Sequence, residues 1–207
     1  RKKLSREAYV IRKKLLETIQ NAGSGHIGGS MSIAEILSVL YFEEMKINPE
    51  NPDMQDRDRL VLSKGHCSPA LYATLALKGF FSIEHLSSFR NMESDLSGHV
   101  EIHVPGVDMS SGSLGQGLSV GLGMALFAKN KGYKNRAFVI LGDGEIQEGQ
   151  IWEAAMAAGY FKADNLIALV DNNKIQLDGW LKEVMSPYPI GEKFRAFGWN
   201  VLEIDGH

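Results

Sequence analysis

The sequence predicts an α/β fold: a parallel sheet flanked by helices on both faces. Three observations lead there. From residue 59 onward, strand-like segments, glycine-rich loops and helix-like segments follow one another. The strand-like segments RLVL, AFVIL and LIALV are runs of Val, Ile and Leu without polar alternation, as strands covered on both faces require. The 207 residues, 44% hydrophobic and 23% charged, also suffice for one ordinary domain with a sizeable core.

Taken in order, Leu4, Ala8, Ile11, Leu15 and Ile19 fall on one stripe of a first helix, which the four glycines of NAGSGHIGGS then break. Ser32 with Glu35 has capping-box spacing for a second helix running from Ile33 to about Glu44. A polar connector, NPENPDMQDRD, leads to the strand DRLVLS. SPALYATLALKG follows as a helix with Pro69 in its first turn and Gly79 as its stop. Residues 82 to 111 are polar, irregular and too long for an ordinary connection, which marks them as a functional loop. SSGSLGQGLSVGLGMALFAKN then opens a helix in which Gly121 and Gly123 permit close packing. Ala137 to Leu141, Gln150 to Phe161 and Leu166 to Val170 read as a βαβ unit.

Bulk properties exclude several classes. A net charge of -3 provides no general attraction to nucleic acid or anionic membranes, and the seven Lys and Arg against two Glu in the first twenty residues read as a solvated helix face. No apolar run reaches the ~20 residues of a membrane span, and residues 1 to 20 lack the continuous apolar core of a signal peptide. The single cysteine, Cys67, rules out an internal disulfide framework and suits a reducing, cytoplasmic setting; it reads as small packing. The chain starts at Arg1 and stops at His207 directly after the strand-like NVLEIDG, which reads as a cut.

In a right-handed βαβ unit the loops leaving the carboxyl ends of both strands share one edge of the sheet, so Asp143 and Asn172-Asn173 are expected to be neighbours. A carboxylate and an amide oxygen are hard ligands of the kind Mg²⁺ or Ca²⁺ prefers. Taken singly, the same residues read as a helix cap and a turn. His26, His66 and His99 each sit next to glycine, and imidazole can move protons near neutral pH. His99 and His103 have the i, i+4 spacing of a zinc pair, but Gly98, Pro105 and the intervening Val and Ile look extended, which argues against zinc.

The phrase GDGEIQEGQIWEAAMAAGYFKADNLIALVDNN resembles the thiamine-diphosphate fingerprint, Gly-Asp-Gly followed about thirty residues later by Asn-Asn. SGHIGGSMS, LSKGHCSPALY, SGHVEIHVPGVDMSSGSLGQGLSVGLGMA and VDNNKIQLDG stand in transketolase order and spacing. The chain resembles the N-terminal, diphosphate-binding part of a transketolase, in the split form where this part is a separate subunit. The resemblance implies a thiamine-diphosphate-binding fold in which residues 1–207 form a single diphosphate-binding domain, cut short at its C-terminal end. It implies thiamine diphosphate with Mg²⁺ (or Ca²⁺) held by Asp143, Asn173 and the carbonyl of Ile175, while Gly144 lets the backbone approach. His26, His66 and His99 match active-site histidines, and His66 also matches a cofactor contact. Gly112-Ser113-Leu114 matches the family's Gly-Pro-Leu at the aminopyrimidine and thiazolium, with Ser in place of Pro. Glu148 matches an acid near the subunit contact that couples paired sites. HIGG and HVE likewise lack the family's prolines, which loosens these loops.

The implied reaction is transfer of a two-carbon ketol unit from a ketose phosphate to an aldose phosphate, as in the pentose phosphate pathway. The missing pyrimidine-binding and C-terminal domains would come from a partner subunit, most simply in an α₂β₂ heterotetramer. Two enzyme alternatives share the cofactor: a 1-deoxyxylulose-5-phosphate synthase-like enzyme, and a transketolase-like enzyme of sulfosugar breakdown. A non-catalytic metal- or nucleotide-binding module is the alternative from another class.

Overall fold

The apolar stripe of the first segment folds as α1 (Lys2–Ala22) and buries Ala8, Ile11, Leu15 and Ile19, the residues its 3.6 period selects. The structure is a computed structural model that describes residues 2–177 and 179–206; Arg1, Asp178 and His207, which include both ends of the expected domain, lie outside the described residues. Two compact units emerge, one formed by Arg1–Asp58 with Gly65–Gly112 and the other by Arg59–Lys64 with Ser113–His207.

In the first unit α1 packs on α3 (Ala34–Val39) and on α4 (Ser68–Lys78). The sequence rules fail in the stretch before α3. Residues of the glycine-rich HIGGS segment form a helical turn, α2 (Ile27–Ser32), in place of a loop. The start of the helix also shifts from the expected Ser32 cap: Ile33 is the N-cap of α3, Ser32 closes α2 and its Oγ donates to the Gly29 carbonyl, and the Glu35 side chain pairs with Arg12 on α1. The last turn after α3, Leu40–Glu44, is a π-helix. α4 is buried on nearly every side from Ser68 to Ala76, begins with Pro69 in its first turn and stops at Gly79, whose φ of 95° is left-handed. The stretch after a 3₁₀ segment (Ile83–Ser88) is irregular, as expected. It is fastened by the buried pair Arg57–Asp108, a two-bond guanidinium–carboxylate contact at 2.6 and 3.0 Å.

The second unit is built on a parallel sheet of β1 (Arg59–Leu62), β2 (Ala137–Gly142) and β3 (Leu166–Asp171), in the order β1-β2-β3. The β2–β3 register runs from Ala137 opposite Leu166 to Gly142 opposite Asp171. α5 (Gly117–Lys131) buries Leu118, Gly121, Leu122, Ala125 and Ala128. α6 (Gly149–Tyr160) buries Ile151, Ala154, Ala155 and Ala158. A Cβ at Gly121 would collide with Val139 of the sheet, so this glycine sets the helix–sheet distance; Gly123 faces open space and does not. A hairpin of β4 (Ile175–Gln176) and β5 (Gly179–Trp180) follows, then α7 (Leu181–Val184) and α8 (Ile190–Ala196). The strand-like NVLEIDG forms no strand over residues 200–206. It lies beside a cleft of about 630 Å³ along β3, lined by Ala168, Val170, Phe194 and Trp199 among others, which meets the predicted chemistry only at Asn172. No helix among the described residues is long and apolar enough to cross a membrane.

Candidate functional site

In the second unit the parallel register places the ends of β2 and β3 side by side, and Asp143 follows directly. Its N–H donates to the Asp171 carbonyl at 3.3 Å. Its carboxylate accepts the N–H of Lys174 at 2.6 Å and of Gly144 at 2.9 Å. Asp143 therefore ties the β2 loop to the β3 loop, and the reading of it as a helix cap falls: Glu148, not Asp143, occupies the N-cap of α6. At 2% exposure Asp143 is a buried carboxylate, and burial pushes its pKa up against the lowering effect of those two backbone donors.

Asn173 is oriented by its neighbours. Lys64, at the end of β1, donates to Asp171 Oδ2 at 2.6 Å, with the two side chains only 2% and 9% exposed. An ionised Asp171 can only accept, so Asn173 turns its NH₂ to it at 3.2 Å and presents Oδ1 on the other side, where it now accepts the Ile175 N–H at 3.0 Å. A Cβ at Gly144 would touch Gln176, so the glycine keeps this loop close to the hairpin. Among the described residues no cluster of three His, Cys, Asp or Glu could hold a metal by itself. What stands here is one buried carboxylate with spare lone pairs, one aimed amide and nearby backbone carbonyls. That donor set is of the kind a hard divalent cation prefers, and it would leave further positions for ligands from outside the chain.

Sequence reasoning passed over a second buried carboxylate in this unit. Glu145 accepts the N–H of Gly115 and of Gly142, each at 2.9 Å, and the hydroxyl of Ser63. It joins the end of β1, the loop before α5 and the end of β2. The signal was present in GDGEIQEG: an acid directly after Gly-Asp-Gly, which opens a 3₁₀ turn at Glu145–Gln147. Ser113 and Leu114 are exposed just before Gly115, and Gly115 has room only because it lacks a Cβ, which would sit 2.7 Å from Glu148 Cβ. Ile175 is half exposed in β4.

In the first unit the three predicted histidines converge. The His26 ring lies 5.2 Å from His66 and 6.1 Å from His99, centroid to centroid. His66 sits in a 3₁₀ turn at Gly65–Cys67, directly before α4. His99 is positioned through its carbonyl, which accepts the Tyr72 hydroxyl of α4 at 3.0 Å. Gly112 lies against the His99 ring, a Cβ there falling 3.4 Å from it. Partial desolvation by its neighbours, then His99, then Arg90 hold the pKa of the largely exposed His26 below its ordinary value, so its imidazole stays neutral further into the acid range. His99 and His103 lie in bends and turns, not on a helix. Cys67 is buried, in keeping with a packing role.

The family follows from comparison with known proteins. Residues 4–207 match the family model for the transketolase thiamine diphosphate binding domain, and the chain belongs to this family. It is 53% identical over 205 residues to the 6-deoxy-6-sulfo-D-fructose transketolase subunit SqwG of Clostridium sp. (strain MSTE9), covering 99% of this chain and 74% of that protein. To an apulose-4-phosphate transketolase subunit of Phocaeicola vulgatus it is 48% identical, covering 94% of this chain and 69% of that one. Among solved structures, transketolase from Campylobacter jejuni superposes with a TM-score of 0.94 at 36% identity, over 100% of this chain but 34% of that one. The chain thus spans about a third of that solved transketolase.

Proposed function

We propose that this chain is the thiamine-diphosphate-binding subunit of a two-part transketolase, and that its sugar is an unusual anionic one of the sulfosugar or apulose-phosphate kind. One observation carries the reading: the 53% identity that runs through 99% of the chain to a sulfofructose transketolase subunit, with an apulose-phosphate transketolase subunit next at 48%. The sulfosugar alternative is thereby favoured over the pentose phosphate pathway. Both compact units are read as parts of one diphosphate-binding domain. A partner subunit supplies the remainder, in an α₂β₂ assembly.

Asp143, Asn173 and the Ile175 carbonyl would hold Mg²⁺, with Gly144 admitting the diphosphate; Gly112, Ser113, Leu114 and His66 would contact the rest of the cofactor. When bound, thiamine diphosphate supplies the nucleophilic carbon and the electron sink. The chain's residues do the rest. The transfer breaks the C2–C3 bond of the ketose and forms a bond to the aldehyde carbon of the acceptor, with no net redox change, so the protein's task is to move protons on sugar hydroxyls. His26, kept neutral, is fitted to accept one, and His66 and His99 to donate to or orient neighbouring oxygens. Glu148, at the head of α6, is assigned to coupling between paired sites.

The test is calorimetric titration of thiamine diphosphate with Mg²⁺ into the chain, alone and with its partner, followed by a ketol-transfer assay with 6-deoxy-6-sulfofructose against fructose 6-phosphate. Mg²⁺-dependent binding that Asp143→Ala abolishes, with preference for the sulfosugar, is the expected result. Absence of binding in both conditions would point to the non-catalytic module; preference for fructose 6-phosphate would overturn the sulfosugar assignment.

A further inference from the structure

The hairpin of β4 and β5 is too short to hold itself. Each strand is two residues long, with Ile175 opposite Trp180 and Gln176 opposite Gly179. Strain flanks its first strand. Lys174 at φ 66° and Leu177 at φ 52° both take the left-handed conformation that a residue with a side chain adopts only where its surroundings enforce it. Ile175 stands between them, half exposed. Whatever fixes the direction of its carbonyl must therefore come from outside the hairpin. On one flank that is the Lys174 backbone, whose N–H donates to Asp143 at 2.6 Å and whose carbonyl accepts the Leu181 N–H at 2.9 Å.

On the other flank it is a pair of glutamines. Gln147, the last residue of the 3₁₀ turn Glu145–Gln147 after β2, donates from Nε2 to Gln176 Oε1 at 2.8 Å, and Gln176 donates from its own Nε2 to Gln147 Oε1 at 3.1 Å. Two amides 29 residues apart thus close a reciprocal pair. Gln147 Nε2 also donates to the Met185 carbonyl, just past α7, at 2.6 Å. A carbonyl can only accept, so this third bond settles which end of the Gln147 amide is nitrogen, and the pairing then settles Gln176. The stem of Gln176 lies against Gly144, where a Cβ would fall 3.2 Å from its Cγ and Cδ. One neutral pair thereby ties the loop carrying Asp143 and Gly144 to the strand carrying Ile175, and it adds no negative charge next to the buried Asp143 carboxylate.

We propose that the Gln147–Gln176 pair is a positioning device for the metal site: it holds the Ile175 carbonyl in place beside the loops of Asp143 and Asn173 before any cation arrives, and so sets how tightly Mg²⁺ is held. Neither glutamine touches the cation in this role. Groups that orient metal ligands typically change metal affinity by roughly 10–100-fold when they are removed. The bearing on Mg²⁺ rests on the reading of Asp143, Asn173 and Ile175 as its ligands; the ordering of the hairpin by the pair does not.

Gln147→Met and Gln176→Met keep the length of each side chain and remove its amide. Both are compared, singly and together, with the unsubstituted chain in the assembly with its partner. Mg²⁺ is titrated calorimetrically at fixed thiamine diphosphate, and hydrogen exchange at the N–H groups of Ile175 and Leu181 is followed with neither present. Each single variant is expected to weaken Mg²⁺ binding about tenfold and to speed exchange at both groups. The double variant is expected to lose no more than Gln147→Met alone, because the same pair is already broken. Unchanged Mg²⁺ affinity in both single variants, even with a lowered Tm, overturns the proposal and leaves the pair as a strut for the hairpin. Unchanged exchange, or a loss in the double variant equal to the product of the two single losses, overturns it as well. If the unsubstituted assembly itself binds no Mg²⁺ with the cofactor, the ligand reading has failed and the proposal falls with it, an outcome distinct from normal binding that the variants leave untouched.

Discussion

The strand ends of the second unit and the histidine face of the first solve opposite problems with similar residues. Lys64, Asp171, Asp143 and Glu145 are buried, and their polar atoms bond to one another or to backbone N–H groups. His26 and His99 are exposed, and what organises His99 is its backbone carbonyl, held by the Tyr72 hydroxyl, and the nearness of Gly112. A buried polar network keeps its geometry by itself, because every broken bond costs a full desolvation penalty. An exposed one has little at stake in folding, so its arrangement serves whatever binds there. Stability and function should therefore divide between the two regions.

The largest expected effect is on the buried side. Lys64→Met leaves Asp171 charged and unpaired by its lysine, and chemical denaturation is expected to show a loss of roughly 3–5 kcal/mol. Adding Asp171→Asn removes the stranded charge and should recover much of it; no recovery would mean that the pair matters through packing. Glu145→Ala strips the acceptor from Ser63, Gly115 and Gly142, and about 3 kcal/mol is expected to go, since each orphaned buried donor costs roughly 1–3 kcal/mol and entering water offsets part of the total. Gly121→Ala should cost roughly 1–3 kcal/mol through overpacking on Val139, visible as a lowered Tm, whereas Gly123→Ala should be neutral or slightly stabilising.

On the exposed side the pattern inverts. His26→Ala and His99→Ala are expected to change stability by no more than ~0.5 kcal/mol. In the assembled enzyme the same variants should slow ketol transfer by roughly 10²–10⁴-fold, the usual reach of a positioned proton-transfer group. If both lost stability as Lys64→Met does, the division between regions would be broken. The smallest effect is in pH. The His26 pKa is depressed on folding, so below about pH 6.5 the unfolded chain binds more protons than the folded one and stability declines as the pH falls through that window. His26→Gln should flatten this decline slightly in denaturation curves recorded between pH 7 and 5.

How much of this was readable in advance follows from how local each cause is. Strands β1 to β3, the buried stripe of α1, the Pro69 start and Gly79 stop of α4, and the existence of helices α5 and α6 depend on composition and period, and all were legible. So was the meeting of the Asp143 and Asn173 loops, because parallel pairing admits one arrangement. The N-cap fell at Ile33 and not at Ser32, and the pairing of the Glu35 side chain with Arg12, 23 residues earlier in the chain, is a tertiary contact that local sequence does not show. Residues 200–206 have strand-forming side chains but no strand pairing. Glu145 and Lys64 escaped notice for a related reason: a charged residue beside a functional motif reads as solvated until tertiary structure shows it buried.

The carboxylate of Glu145 has a consequence for remodelling this protein. Three segments far apart in sequence, the end of β1, the turn before α5 and the end of β2, are fastened to one side chain through Ser63, Gly115 and Gly142. They are heritable only as a set. A loop grafted from another enzyme at any one of these places would arrive without its counterparts, so chimeras should tolerate exchange of all three together and reject exchange of one.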